Sequence, residues 1–74
     1  MTQYIVYPGC FWNKTAQGLS VVKDNDNGIF KLSGLAEQVF LAVATEALGN
    51  LDQTNPTVAQ VLIDLQGLSL IVKK

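Results

Sequence analysis

The residues that could do chemistry are few in this sequence. The chain has 74 residues, with no histidine and a single cysteine, and all five of its basic residues are lysines. Zinc sites of His and Cys ligands, Ser-His-Asp or Cys-His nucleophilic centres and bidentate arginine sites for phosphate all lack their residues. We therefore expect no catalytic residue, no metal site and no cofactor, and we predict that the protein is not an enzyme.

The acidic residues do not match a known type of site. An EF-hand calcium loop that began at Asp24 would need glycine at its sixth position, where Ile29 stands, and glutamate at its twelfth, where Leu35 stands. We interpret residues 24–28 as the solvated tip of a hairpin. The other acidic residues are interpreted as solvated helix surface: Glu37, Glu46, Asp52 and Asp64.

Charge and cysteine content bear on partners and compartment. Five lysines against six acidic residues give a net charge of -1, and the lysines are scattered, whereas nucleic-acid binding by counterion release needs clustered cations. The lone Cys10 cannot form an internal disulfide, which fits a reducing compartment. Apolar runs are too short for a membrane helix. The sequence predicts a soluble, cytoplasmic protein with neither a nucleic acid nor a membrane as its partner.

The first half of the chain has the pattern of β-strands. Residues 3–7 are β-branched and aromatic and are followed by Pro8-Gly9. Residues 11–13 form either a second short strand or an aromatic lid over the core. Residues 19–23 and 29–32 are predicted to form a hairpin, because the intervening Asn27-Gly28 is the strongest short turn signal.

The second half changes to helical spacing. The apolar residues that lie on one helical face are Ala36, Val39, Phe40, Val43 and Ala47. Ser33 is the expected N-cap of this helix, and Gly49 is the residue expected to end it in a left-handed conformation. A polar linker follows, and Asn55-Pro56 begins a second helix that ends at Gly67. Residues 68–72 either continue this helix or form a closing strand, and the β-branched residues favour the strand.

Three strands followed by two helices predict an α+β fold, and the length of the chain predicts a single domain over residues 1–74. The aromatic residues near the start offer one interaction surface: Tyr4, Tyr7, Phe11 and Trp12 fall within nine residues. A small protein-interaction or inhibitor domain that uses this cluster is therefore a functional alternative.

Residues 19–72 together resemble a small peptide-binding domain family. The best part is 28–40, with a turn glycine, a short strand ending in Leu, a capping residue and a helix with Ala three residues before an aliphatic–aromatic pair: Gly28, Leu32, Ser33, Ala36, Val39 and Phe40. Residues 61–65 with Leu70-Ile71 are similar to the last helix of the family and its closing apolar pair. The pattern is that of the PqqD-like RiPP recognition element. Two features depart from it: the stretch for the middle helix is short, and Ser69 stands where the family usually has glycine.

This resemblance implies a winged-helix-like domain with a three-stranded antiparallel sheet followed by two or three helices. It implies a non-catalytic adaptor, a peptide chaperone of natural product biosynthesis. Such an adaptor binds the leader of a ribosomally made precursor peptide and presents it to a peptide-modifying enzyme, for example a radical SAM protein.

In this family the leader adds as a strand to the sheet edge and lies against the last helix. The implied peptide-binding residues are Ile29, Phe30, Lys31 and Leu32 on the strand, and Gln60, Ile63 and Asp64, with Ala59, on the helix. We expect Phe30→Pro to remove an edge N–H. A winged-helix nucleic-acid binder is the second functional alternative, disfavoured by the net charge. A homodimer, formed through the strands or by a swapped helix, is possible.

Overall fold

The computed structural model describes residues 3–24 and 28–74. In chain order the elements are β1 (Tyr4–Val6), β2 (Cys10–Thr15), β3 (Gly18–Lys23), β4 (Ile29–Leu32), α1 (Gly34–Ala44), α2 (Pro56–Gly67) and β5 (Ile71–Lys73). A single 3-10 turn, Leu48–Asn50, lies between the two helices. The predicted α+β class is confirmed.

The central element is a three-stranded antiparallel sheet in the order β2-β3-β4. The predicted hairpin strands are confirmed: β3 pairs with β4, and Val22 lies opposite Ile29. The turn predicted at Asn27-Gly28 lies partly outside the described residues. Of the two possibilities for residues 11–13, the structure shows the strand, which pairs along its whole length with β3.

The first strand lies outside this sheet. β1 pairs instead with β5, with Tyr4 opposite Lys73 and Val6 opposite Ile71. A hydrogen bond from the Tyr7 N–H to the Leu70 carbonyl oxygen, at 3.0 Å, extends this two-stranded ribbon. The physical reason is that β5 is itself a strand and needs a partner for its backbone groups.

The helices form the layer that covers one face of the sheet. α1 buries Val39, Phe40 and Val43, and its contacts with the sheet are centred on β3. α2 packs mainly against α1 and β5 and buries Val58, Leu62 and Leu65. No helix in the described part of the chain is long and apolar enough to cross a membrane.

The start of α2 agrees with the prediction from the sequence. The Asn55 side chain accepts a hydrogen bond from the Thr57 N–H at 2.9 Å, and Pro56 occupies the first helical turn. Ser33 does occupy the N-cap of α1, but its side chain makes no capping hydrogen bond there.

The predicted end of α1 at Gly49 is wrong, because the helix stops at Ala44. Glu46 takes a left-handed conformation with φ 59°, and the Ala47 N–H donates to the Ala42 carbonyl at 2.7 Å. This is a Schellman ending, formed by a residue that is not glycine. The helix therefore closes before Ala47, and Gly49 lies in the 3-10 turn.

α2 ends in the same way, at Ser69. Ser69 has φ 58°, and the Leu70 N–H donates to the Leu65 carbonyl at 3.0 Å. An L-residue in this conformation costs about 1–2 kcal/mol, whereas glycine adopts it freely.

We therefore expect Ser69→Gly to raise the free energy of unfolding by about 0.5–1 kcal/mol, after allowing for the greater freedom of glycine in the unfolded chain. Urea denaturation measures this change. Ser20→Gly is the matched control, because Ser20 lies within β3, and it should lower the stability by about 0.5–1 kcal/mol. A destabilised Ser69→Gly variant would contradict the strain argument.

Candidate functional site

β4 lies at an edge of the three-stranded sheet, and the strand register shows which of its backbone groups face outward. The Asp24 N–H donates to the Gly9 carbonyl at 2.9 Å, directly beyond the β2–β3 ladder. Hydrogen-bonded and non-bonded pairs alternate along an antiparallel ladder. Counting from this bonded pair, Leu19 and Val21 form non-bonded pairs with β2, so their N–H and C=O groups point to β4.

Leu19 and Val21 lie opposite Leu32 and Phe30. Phe30 and Leu32 therefore direct their backbone groups inward to β3, and those of Ile29 and Lys31 point away from the sheet. Among the described residues no strand pairs with this side of β4. We call the outward N–H and C=O groups of Ile29 and Lys31 the β4 edge. The expectation that Phe30→Pro removes an edge N–H is wrong, because that group faces β3.

The side chains of the four predicted strand residues divide in the same alternation. Ile29 is 62% exposed and Lys31 is exposed, whereas Leu32 is buried and Phe30 packs half-buried against the core. A strand added at the β4 edge would therefore meet an apolar and a cationic side chain on one face of the sheet. On the other face it would meet the flank of Phe30.

A depression of about 430 Å³ lies beside the end of β4. Lys31, Ser20 and Gln17 contribute polar groups to its lining, and Leu32 contributes apolar surface. It is continuous with the β4 edge at Lys31, so the side chain of a bound peptide has room at this end.

The helix residues of the predicted site lie elsewhere. Gln60 donates through its side-chain amide to the Asp64 carboxylate at 3.0 Å, and Ile63 is 58% exposed. All three are on the outer face of α2, which packs against α1 and β5 and makes no substantial contact with β4 in the described structure. The structure does not bring the two halves of the predicted site together into a groove.

β2 forms the other edge of the sheet. By the same alternation, Trp12 and Lys14 direct their backbone groups away from β3. The Lys14 ammonium forms an ion pair with Glu37 on α1, in which the carboxylate is largely buried. The side chain of Lys14 is thus tied to the helical layer, whereas the structure shows no such contact for Lys31.

The N-terminal aromatic residues do not form one surface. Trp12 makes an edge-to-face contact with Phe40 on α1, with ring centroids 5.6 Å apart, whereas Phe11 lies on the opposite face of the sheet and is 64% exposed. The Lys23 ammonium lies over the Tyr7 ring, 5.7 Å from its centroid. Tyr4 packs against the core. The aromatic cluster of the sequence is therefore distributed over separate parts of the molecule.

Reactive side chains are equally dispersed. Burial raises the pKa of the Cys10 thiol, an effect that Lys23 partly offsets, so the thiol stays protonated at neutral pH. Hydrogen bonds from the Thr54 hydroxyl and backbone lower the pKa of Asp52 on an exposed loop. Within the described residues no group of His, Cys, Asp or Glu side chains is arranged to hold a metal ion.

Comparison with known proteins adds no assignment. No protein-family model, curated protein or solved structure matches the chain. The two sheet edges offer the same backbone chemistry, and among the described residues they differ in that the outward lysine of β2 is ion-paired to α1 whereas that of β4 is not.

Proposed function

We propose that this protein is a non-catalytic adaptor that binds an extended peptide as a fourth strand on the β4 edge. The observation that supports this proposal is the outward direction of the N–H and C=O groups of Ile29 and Lys31, on a strand whose inner side is fully paired to β3. Strand addition needs no histidine, arginine, metal or cofactor, in keeping with the composition.

The magnitudes indicate how such a peptide would be held. Two residues offer up to four backbone hydrogen bonds, each contributing about 0.5–1.5 kcal/mol net. Association costs at least about 4 kcal/mol in lost freedom. The backbone alone therefore gives weak binding, and micromolar affinity requires apolar contact with Ile29 and with the flank of Phe30.

The resemblance seen in the sequence suggests the kind of peptide. We propose that it is the leader of a ribosomally made precursor, and that the adaptor presents it to a peptide-modifying enzyme such as a radical SAM protein. The winged-helix-like identity of the domain is part of this proposal. Since α2 lies against α1 and β5, the recognition in this chain depends on the sheet edge rather than on a groove between strand and last helix.

The two edge lysines allow a matched test. Lys31→Pro removes an outward N–H from β4, and Lys14→Pro removes the equivalent group from β2. Neither breaks a ladder bond, so the sheet should persist in both variants, although Lys14→Pro also removes the ion pair with Glu37. We expect Lys31→Pro to weaken peptide binding at least about tenfold and Lys14→Pro less than about twofold. Fluorescence anisotropy measures this, with labelled leader peptides from short precursor genes encoded beside the gene for this chain.

Lys31→Met separates the contribution of the backbone N–H to peptide affinity from that of the charge, because it keeps the N–H and removes the ammonium. This variant should retain most of the affinity. Circular dichroism checks that each variant is folded. If Lys31→Pro binds as well as the unaltered protein, or if none of the leaders binds at micromolar concentration, strand addition at β4 is wrong. Equal losses in the two proline variants would point to a general loss of structure.

A further inference from the structure

The face of the sheet turned away from the helices carries an apolar row. Phe11, Val22 and Ile29 lie directly opposite one another on β2, β3 and β4. They are 64%, 40% and 62% exposed. Neighbouring strands lie about 4.8 Å apart, so the three side chains form one continuous strip. We call these three residues the outer row.

Charges of opposite sign flank the outer row on its two sides. Asp24 directly follows β3 and lies two residues beyond Val22, at the end of the row where β3 ends; Lys31 lies two residues beyond Ile29, toward α1. Lys31 shares the face of Ile29, because residues two positions apart along a strand, about 6.8 Å, point to the same side. Asp24 continues the pairing of β3 with β2 by one residue, since its N–H donates to the Gly9 carbonyl oxygen. Both side chains are exposed, and no ion pair joins either one to another described residue.

This arrangement is complementary to itself. A twofold axis along the outer row stacks the row on its own copy, and it carries the Asp24 of each chain to the side on which the other chain has Lys31. Symmetric dimers use one patch on both subunits, with each contact occurring twice. From these positions we infer that the outer face of the sheet is a self-association surface, whose occupant is a second copy of this chain.

The size of the face determines the strength of the contact. Three strands and three rows of side chains cover about 300 Å², well below the roughly 800 Å² per partner of a stable interface. The dimer is therefore weak, concentration-dependent and sensitive to salt, because its charged contacts are at the rim. It leaves the outward backbone groups of the β4 edge free, but it covers the Ile29 side chain, so dimerisation and the proposed peptide binding compete for that residue.

Charge exchange tests this inference. Asp24→Lys places two lysines at each flanking contact of a dimer, and Lys31→Asp places two aspartates there. Sedimentation velocity from micromolar to millimolar concentration should show reversible dimers for the unaltered chain and at least about tenfold weaker association for each single variant. An equimolar mixture of the two variants should regain the association, because every flanking contact then joins Lys to Asp.

The mixture also serves as the folding control, since its recovery requires both variants to be folded. Val22→Thr, which keeps a β-branched residue at the centre of the row, should weaken the dimer without changing the charges. An unaltered chain that stays monomeric at millimolar concentration overturns the inference, as does a mixture that associates no better than its components. Loss of association in Lys31→Pro with the charge variants unaffected would assign the dimer to the strand edge instead.

Discussion

Phe40→Ala is expected to lower the free energy of unfolding by about 3–5 kcal/mol, the usual cost of removing a large aromatic side chain from a packed core. Phe40 is fully buried, and its ring also makes an edge-to-face contact with the Trp12 ring on β2. A chain of this length has about 4–11 kcal/mol of total stability. The substitution therefore removes a large part of what holds α1 to the sheet, and urea denaturation followed by circular dichroism measures it.

Phe11→Ala is the matched control, since Phe11 is the same residue type on the exposed face of β2. It should cost less than about 1 kcal/mol, the range of strand propensity. If Phe40→Ala is unfolded, Phe40→Leu keeps the result measurable, with an expected loss of about 1–2 kcal/mol. Equal losses for the alanine variants of Phe11 and Phe40 would contradict the placement of the core on the inner face of the sheet.

Gly18→Ala is expected to cost about 3 kcal/mol, and its effect should reach the candidate binding strand. Gly18 has φ 139°, a conformation that costs an L-residue about 1–3 kcal/mol. A Cβ atom there would also collide with the carbonyl oxygen of Leu32, at the end of β4. Because the obstacle is backbone, relief requires β3 and β4 to separate at this end. Urea denaturation gives the loss of stability, and amide shifts of β4 report the local change.

Two other glycines separate the conformational cost of the Gly18→Ala substitution from the cost of its contact with Leu32. Gly34 has φ 60° and open space around it, so Gly34→Ala shows the conformational cost alone, about 1–2 kcal/mol. Gly67 has ordinary φ, open space and the last position of α2, so Gly67→Ala should be neutral or stabilising by up to about 1 kcal/mol. A Gly18→Ala variant no less stable than Gly34→Ala would show that the contact with Leu32 is unimportant.

The elements that the sequence predicted correctly are those whose signals are local. The start of α2 depends on Asn55 and Pro56, which act within one turn, and the strands on either side of residues 24–28 alternate within themselves. The predicted end of α1 was wrong because the prediction assumed a glycine in the left-handed position that ends the helix. Glu46 takes the left-handed conformation instead, and glutamate is not a residue type that predicts this conformation.

The candidate site was predicted in part. The strand of residues 29–32 is an edge strand, and Ile29 and Lys31 do present free backbone groups. Phe30 and Leu32 were expected beside them, but their backbone groups are taken by β3. The residues whose backbone groups face outward depend on which pairs of the ladder are hydrogen-bonded. The hydrogen bond between Asp24, after β3, and Gly9, before β2, determines this alternation.

The sequence by itself determined that the chain lacks histidine and arginine, that its first half is extended and its second half helical, and where α2 begins and ends. Each of these depends on composition or on residues within a few positions of one another. The tertiary structure alone decided that β1 pairs with β5, that α2 lies away from β4, and that Trp12 packs against Phe40. These depend on contacts between distant segments, where many pairings satisfy the same apolar pattern and the best packing of the whole chain selects one.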